Sequence, residues 1–168
     1  IFILIVILFI ISAQSPILAQ EKQAAIPERH GQVSPQLFMG VGKKQPLIVG
    51  LGGSEGGNPW ASQFWKAQRD RFLAQGYAVL ALGYFGTKES PAKLDRIAIE
   101  GIHAAVMQAA KTPGVNAECI VVMGGSRGGE LALLLGSLYK EYDAVIGIVA
   151  GSSVFPALTM TMDTPGWS

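Results

Sequence analysis

From Pro46 onward, short apolar runs alternate with longer stretches in which apolar residues recur every three or four positions. Leu47-Ile48-Val49 is the first run and ends in Gly50-Leu51-Gly52-Gly53. Tyr77 to Leu82 is the second, Ile120-Val121-Val122-Met123 the third, and Ala144 to Val149 the fourth. Short runs that are apolar on consecutive positions predict strands buried on both faces. Between the first two, Asn58-Pro59 has the residue types of a helix N-cap and first helical position. The helix this predicts carries Trp65 and Phe72 on one face and stops at Gly76. Ser90-Pro91 predicts a second start of the same kind, with Ile99, Ile102, Val106 and Ala109 aligned and Pro113-Gly114 as the break. Leu131, Leu134, Leu135 and Leu138 stripe a third helix. Strands alternating with amphipathic helices predict an α/β architecture, a doubly wound and mostly parallel sheet. Such sheets bind ligands beyond the carboxyl ends of their strands.

Ahead of Pro46 the pattern changes. Ile1 to Ile11 is an unbroken apolar run, followed by Ser12-Ala13-Gln14-Ser15 and Pro16-Ile17-Leu18-Ala19-Gln20. Residues 1–19 are expected to be a signal peptide cleaved near Ala19, or an N-terminal anchor; the run by itself is too short to span a bilayer. The expected location is therefore periplasmic or secreted, with a membrane as partner only through this segment. Residues 20–45 are polar and mixed, and read as a linker or a weak edge strand. Residues 46–168 form the single domain. A start at Ile1 and an unpatterned end, Thr164 to Ser168, lead us to expect its front part only, truncated at the C-terminus.

Composition narrows the chemistry. The chain has 168 residues, enough for one real core, and is 49% hydrophobic and 15% charged. Its net charge of +1 gives no electrostatic case for nucleic acid. Two histidines and one cysteine, Cys119, exclude an internal disulfide and most metal sites built from several His or Cys ligands. Nothing in the sequence requires a metal or organic cofactor.

The pattern G-x-S-x-G occurs twice, as Gly52-Gly53-Ser54-Glu55-Gly56 and Gly124-Gly125-Ser126-Arg127-Gly128. A nucleophile elbow needs a strand, one strained turn residue and a helix that starts at once. Ser126 has all three. Ser54 is followed by more loop. Ser126 is thus the candidate nucleophile, and the backbone N–H of Arg127 one donor to an oxyanion at the helix N-terminus. The loop with Gly53 and Ser54 lies two strands earlier, where the α/β-hydrolase arrangement places its second donor. Neither histidine follows Ser126: His30 falls in the polar linker and His103 on a helix face. Asp143 reads as a turn residue before the fourth strand, and Asp163 as a weak candidate acid. Glu55 and Glu130 could shape the pocket; the other reading is that they are solvated, or in the case of Glu130 a partner of the helix dipole.

The stretches Pro46 to Gly57, Gly76 to Gly86 and Ile120 to Leu134 resemble the C-terminal domain of the bile-acid-CoA:amino-acid N-acyltransferase and acyl-CoA thioester hydrolase family. The Tyr84-Phe85-Gly86 turn and the Arg127-Gly128-Gly129-Glu130 elbow carry the likeness, and a dienelactone-hydrolase-like relation fits the elbow equally. The resemblance implies an α/β-hydrolase whose serine goes with hydrolysis, as cysteine goes with acyl transfer. It implies a small-molecule acyl ester or thioester substrate, with the acid and histidine after the nucleophile. Without those two partners, these residues alone are expected to be nearly inactive. The short stretch between the expected signal and the first strand leads us to expect no β-sandwich domain of the acyl-CoA type there. An exported non-catalytic binding domain, or an acyltransferase to an amine or alcohol, are the other functions this fold can serve.

Overall fold

The computed structural model describes residues 25–160 and 164–168. The segment expected to be a signal or anchor, and Asp163, lie outside the described residues. Five strands make one sheet: β1 (Ser34–Phe38), β2 (Gln45–Leu51), β3 (Ala78–Gly83), β4 (Val115–Gly125) and β5 (Ala144–Ile148). Three α-helices join them: α1 (Lys66–Ala74), α2 (Ile99–Ala110) and α3 (Arg127–Leu138). The strand order is β1-β3-β2-β4-β5, parallel throughout except for β1, which runs antiparallel to β3.

Alternation along β2 explains the two cores. Leu47, Val49 and Leu51 face α2 and α3 together with Leu80, Leu82, Ile102, Val106, Leu131 and Leu135. Ile48 faces the other way with Val79 and Ala81, against Trp60, Phe72 and Leu73. Consecutive residues are thus buried on opposite faces, as a helix-covered parallel sheet requires. Pro46 sits inside this central strand without conflict, because the register with β4 shifts between Pro46 and Leu47.

The chain turns from β2 to β3 on one side, then crosses to β4 on the other. The carboxyl ends of β2 and β4 therefore diverge into loops that enter helices on opposite faces. That switch point opens a crevice, and the two G-x-S-x-G loops form its rims.

Of the two readings of residues 20–45, the edge strand holds for Ser34–Phe38: β1 pairs with β3 from Ser34↔Gly83 to Phe38↔Val79 at the edge of the sheet. Three other expectations need correction. Asn58 caps no α-helix. Its amide donates instead to Ser34 O at 3.0 Å and Ala81 O at 3.1 Å, and only a 3₁₀ turn, Pro59–Ala61, precedes α1. Ser90 likewise starts no helix: its hydroxyl closes a turn with Thr87, and α2 begins at Ile99. The terminal stretch is not patternless in space. Gly166 O accepts from Ile97 N, and Ser168 N donates to Ile97 O, each at 2.9 Å, which seats Trp167 in the core. Asn58 and Trp167 found partners distant in sequence, whereas Ser90 turns back on Thr87 three residues away.

Candidate active site

Ser126 is the single residue between β4 and α3, with φ 50° and ψ −119°. A side chain at positive φ with extended ψ is strained, and surrounding structure must hold it. Two constraints do so. The Ser126 N–H donates to Ile148 O at the end of β5, 2.9 Å away. Strand and helix also meet through bare backbone: a Cβ on Gly124 would run into the Gly128 carbonyl, and one on Gly128 into the Gly52 carbonyl. The Ser126 hydroxyl makes no capping bond to α3, and the residue is exposed. Its Oγ is thus presented at the crevice. The Arg127 N–H, in the first turn of α3, has no intrahelical acceptor.

The loop after β2 closes against this turn. A Cβ on Gly53 would lie 3.2 Å from Gly125 O and 3.4 Å from Ser126 Cβ. Gly53 is buried, and Ser54 is exposed in the turn that follows. The Gly53 N–H donates to Glu55 Oε1 at 3.0 Å. Tyr84 at the end of β3 fixes the loop from below, donating its OH to Gly52 O at 2.7 Å. Burial, then the Glu55 carboxylate, push the Tyr84 phenol well above the ordinary tyrosine range; Arg127 pulls weakly the other way. Tyr84 therefore stays a donor at any pH near neutral.

A cleft of about 330 Å³ lies over Ser126. Its walls are Gly52, Gly53, Glu55, Pro59, the rings of Trp60 and Trp65, and Ile148 and Val149 of the β5 end. Trp60 and Trp65 stack with centroids 5.0 Å apart. Of the residues expected at the site, Ser126 and Gly53 line this cleft, and Arg127 directly follows Ser126 as the first residue of α3. Ser54 is in the same turn but not in the cleft wall.

Glu130 is not solvated. It is buried, and its Oε2 accepts from Arg127 NH1 at 2.8 Å. Its Oε1 accepts from the Trp167 indole at 2.7 Å and from Phe155 N at 2.9 Å. Arg127 NH2 in turn donates to the carbonyls of Phe155 and Pro156. The Arg127 side chain thus braces the start of α3 from behind. Sequence reasoning missed this network and the Tyr84, Trp60 and Trp65 contributions. The i, i+3 spacing of Arg127 and Glu130 was the one available signal.

Among the described residues, no histidine lines the cleft. His30 Nε2 lies 2.9 Å from Ser168 Oγ. His103 stacks on Tyr139 at 3.7 Å between centroids, with Nδ1 3.1 Å from the Tyr142 hydroxyl. Asp143 accepts from Ile120 N at the opposite end of the sheet, as a turn residue there would. Among the described residues, no group of three His, Cys, Asp or Glu side chains converges to hold a metal ion.

Residues 39–155 match a family of known sequences, the family described as BD-FAE. The chain belongs to the BD-FAE family. This BD-FAE chain is also 32% identical over 117 residues to acyl-coenzyme A thioesterase 6 of Mus musculus, covering 69% of the chain and 26% of that protein. It spans little more than a quarter of the length of such relatives. Its fold matches an alpha/beta hydrolase, GrgF, from Penicillium sp. sh18, with a TM-score of 0.57 at 17% identity, over 74% of this chain and 47% of that one. It also matches an esterase, EaEST, from Exiguobacterium antarcticum, with a TM-score of 0.54 at 21% identity, over 74% and 43%. The BD-FAE chain thus has the α/β-hydrolase fold and is homologous to acyl-CoA thioesterases.

Proposed function

We propose that this protein is a serine acyl hydrolase that cleaves a small-molecule ester or thioester through an acyl-enzyme on Ser126. The observation that carries this reading is the Ser126 backbone at φ 50°, held between β4 and α3 with Gly53 alongside. Strain of this kind persists at functional sites. Ser126 Oγ attacks the acyl carbon and gives its proton to a base. The carbonyl π electrons move to oxygen, and the oxyanion is held by the Arg127 amide and an amide of the Gly53-Ser54 turn. The alcohol or thiol leaves with a proton. Water then attacks the acyl-enzyme and releases the acid and free Ser126.

Thioester cleavage is supported by the acyl-CoA thioesterase relatives, and ester cleavage by the fold shared with EaEST. His30 and His103 are both engaged away from the cleft. The base and its acid therefore belong to the chain after Ser126, in the order this fold uses. The apolar stretch at residues 1–11 supports action outside the cytoplasm.

The test is Ser126→Ala in the full-length protein, assayed with p-nitrophenyl acetate and with an acyl-CoA thioester. Loss of hydrolysis by at least about a thousandfold is expected. Hydrolysis at the wild-type rate would overturn the assignment.

A further inference from the structure

Glu55 stands where a negative charge is hardest to reconcile with acyl transfer to a neutral ester. Its Oε1 accepts the Gly53 N–H, an amide that lines the cleft over Ser126. Its Oε2 would be 2.8 Å from a Cβ on Gly53, and that same Cβ would be 3.4 Å from Ser126 Cβ. The carboxylate of Glu55, itself an exposed residue, and Ser126 therefore flank the same glycine. Left there, the carboxylate competes for an oxyanion donor and repels the charge that develops on the acyl oxygen. Among the described residues, Glu55 is the one ionisable side chain in the wall of the cleft. The same holds for the adjoining groove, formed by Glu55, Asn58, Pro59, Ser62, Phe64 and Trp65.

A substrate cation resolves the conflict. An ammonium group a few bonds from the acyl carbon would meet the carboxylate and draw it off the Gly53 amide. It would also neutralise the charge beside the nascent oxyanion. The stacked rings of Trp60 and Trp65 form the wall next to Glu55 and suit a cation as well as an alkyl chain. The geometry points to Glu55 as the receptor for a cationic amine on the acyl group, which makes the substrates esters or thioesters of amino-substituted acids. This inference rests on the assignment of Ser126 as the acyl-transfer nucleophile. Acyl groups carrying a carboxylate are disfavoured by the same charge.

Three ethyl esters of matched chain length test it in the full-length protein: ethyl β-alaninate, ethyl butyrate and monoethyl succinate, cationic, neutral and anionic at pH 7. The expected order of kcat/KM is cationic over neutral over anionic, each step roughly tenfold for a partly solvated charge. Glu55→Gln keeps an oxygen acceptor for the Gly53 amide and removes only the charge, so it should compress both ratios to within about twofold of unity. Ratios unchanged in Glu55→Gln, or no charge preference in the wild type, overturn the inference. Turnover retained in Ser126→Ala overturns the nucleophile assignment instead. A second readout needs no turnover. In Ser126→Ala, ethyl β-alaninate should shift the Gly53 amide resonance and ethyl butyrate should not. An equal response to both, or a response that survives in Ser126→Ala/Glu55→Gln, rules out Glu55 as the receptor.

Discussion

The Trp167 indole donates to Glu130 Oε1 at 2.7 Å and so ties a residue 37 positions along the chain to the first turn of the helix behind Ser126. Glu130 is itself paired with Arg127, and both side chains are less than a tenth exposed. A buried pair contributes little net stability, but removing one partner strands the other charge out of water. Glu130→Ala should therefore lower the unfolding free energy by about 3–5 kcal/mol. Arg127→Met combined with Glu130→Leu should cost less than Glu130→Ala alone. Urea denaturation of the two variants checks this, and a double variant worse than the single one would contradict it.

Strain at Ser126 has its own signature in stability. Glycine accepts φ 50° with extended ψ, whereas serine and alanine do not. Ser126→Gly should raise the unfolding free energy by about 1 kcal/mol, while Ser126→Ala leaves it near the wild-type value. Both should abolish hydrolysis. Equal stability of the two variants in chemical denaturation would show that the surrounding contacts hold this conformation without strain.

The four parallel strands were readable because each carries a run of consecutive apolar residues, a pattern that depends on no distant residue; β1 carries no such run, and β5, expected to be buried on both faces, is mostly exposed. Ser126 was readable for a related reason: strand, turn residue and helix are contiguous in sequence, so the elbow is local. Helix starts were misread at Asn58 and Ser90, whose polar atoms look like caps in isolation. In the fold, Asn58 bonds to Ser34 and Ala81, and Ser90 turns back on Thr87. Glu130 was misread for the same physical reason. A carboxylate is buried only where its partners are, and two of its three donors come from Phe155 and Trp167. Glu55 is the opposite case. Its bond to Gly53 spans two residues, and a glycine-rich turn ending in an acid was visible all along.

Alkaline pH offers a test of the packing beneath the cleft. Burial first, then the Glu55 carboxylate, raise the Tyr84 phenol; burial, then Tyr139 and Glu141, raise that of Tyr142. The folded protein keeps these two protons above pH 10, where an unfolded chain releases them. Their contribution to stability is complete below about pH 10 and is lost as pH rises toward the raised values. In a Tyr77→Phe/Tyr139→Phe variant, which leaves only these two phenols, tyrosinate absorbance at 295 nm should therefore appear late and together with loss of helical circular dichroism. Tyr84→Phe should cost about 1–2 kcal/mol at pH 7, because Gly52 O loses its donor, and should lose less stability than wild type above pH 10. Early tyrosinate formation in that variant while it is still fully folded would contradict the burial of both phenols.

His103 decides whether the described residues hold a hidden base. Its ring lies parallel to Tyr139, with 4° between planes, and its Nδ1 meets the Tyr142 hydroxyl at 3.1 Å. That places it in an aromatic cluster between α2 and the end of α3, and it is absent from the cleft wall. His103→Phe preserves the flat ring for stacking and deletes the bond to Tyr142. The expected cost in stability is about 1 kcal/mol, and kcat/KM should remain within about twofold of wild type. The pH–rate profile should be unchanged as well, since the group that takes the Ser126 proton is elsewhere. A collapse of kcat in His103→Phe comparable to that in Ser126→Ala, with the fold intact by circular dichroism, would make His103 the base and would require the helix that carries it to move toward Ser126.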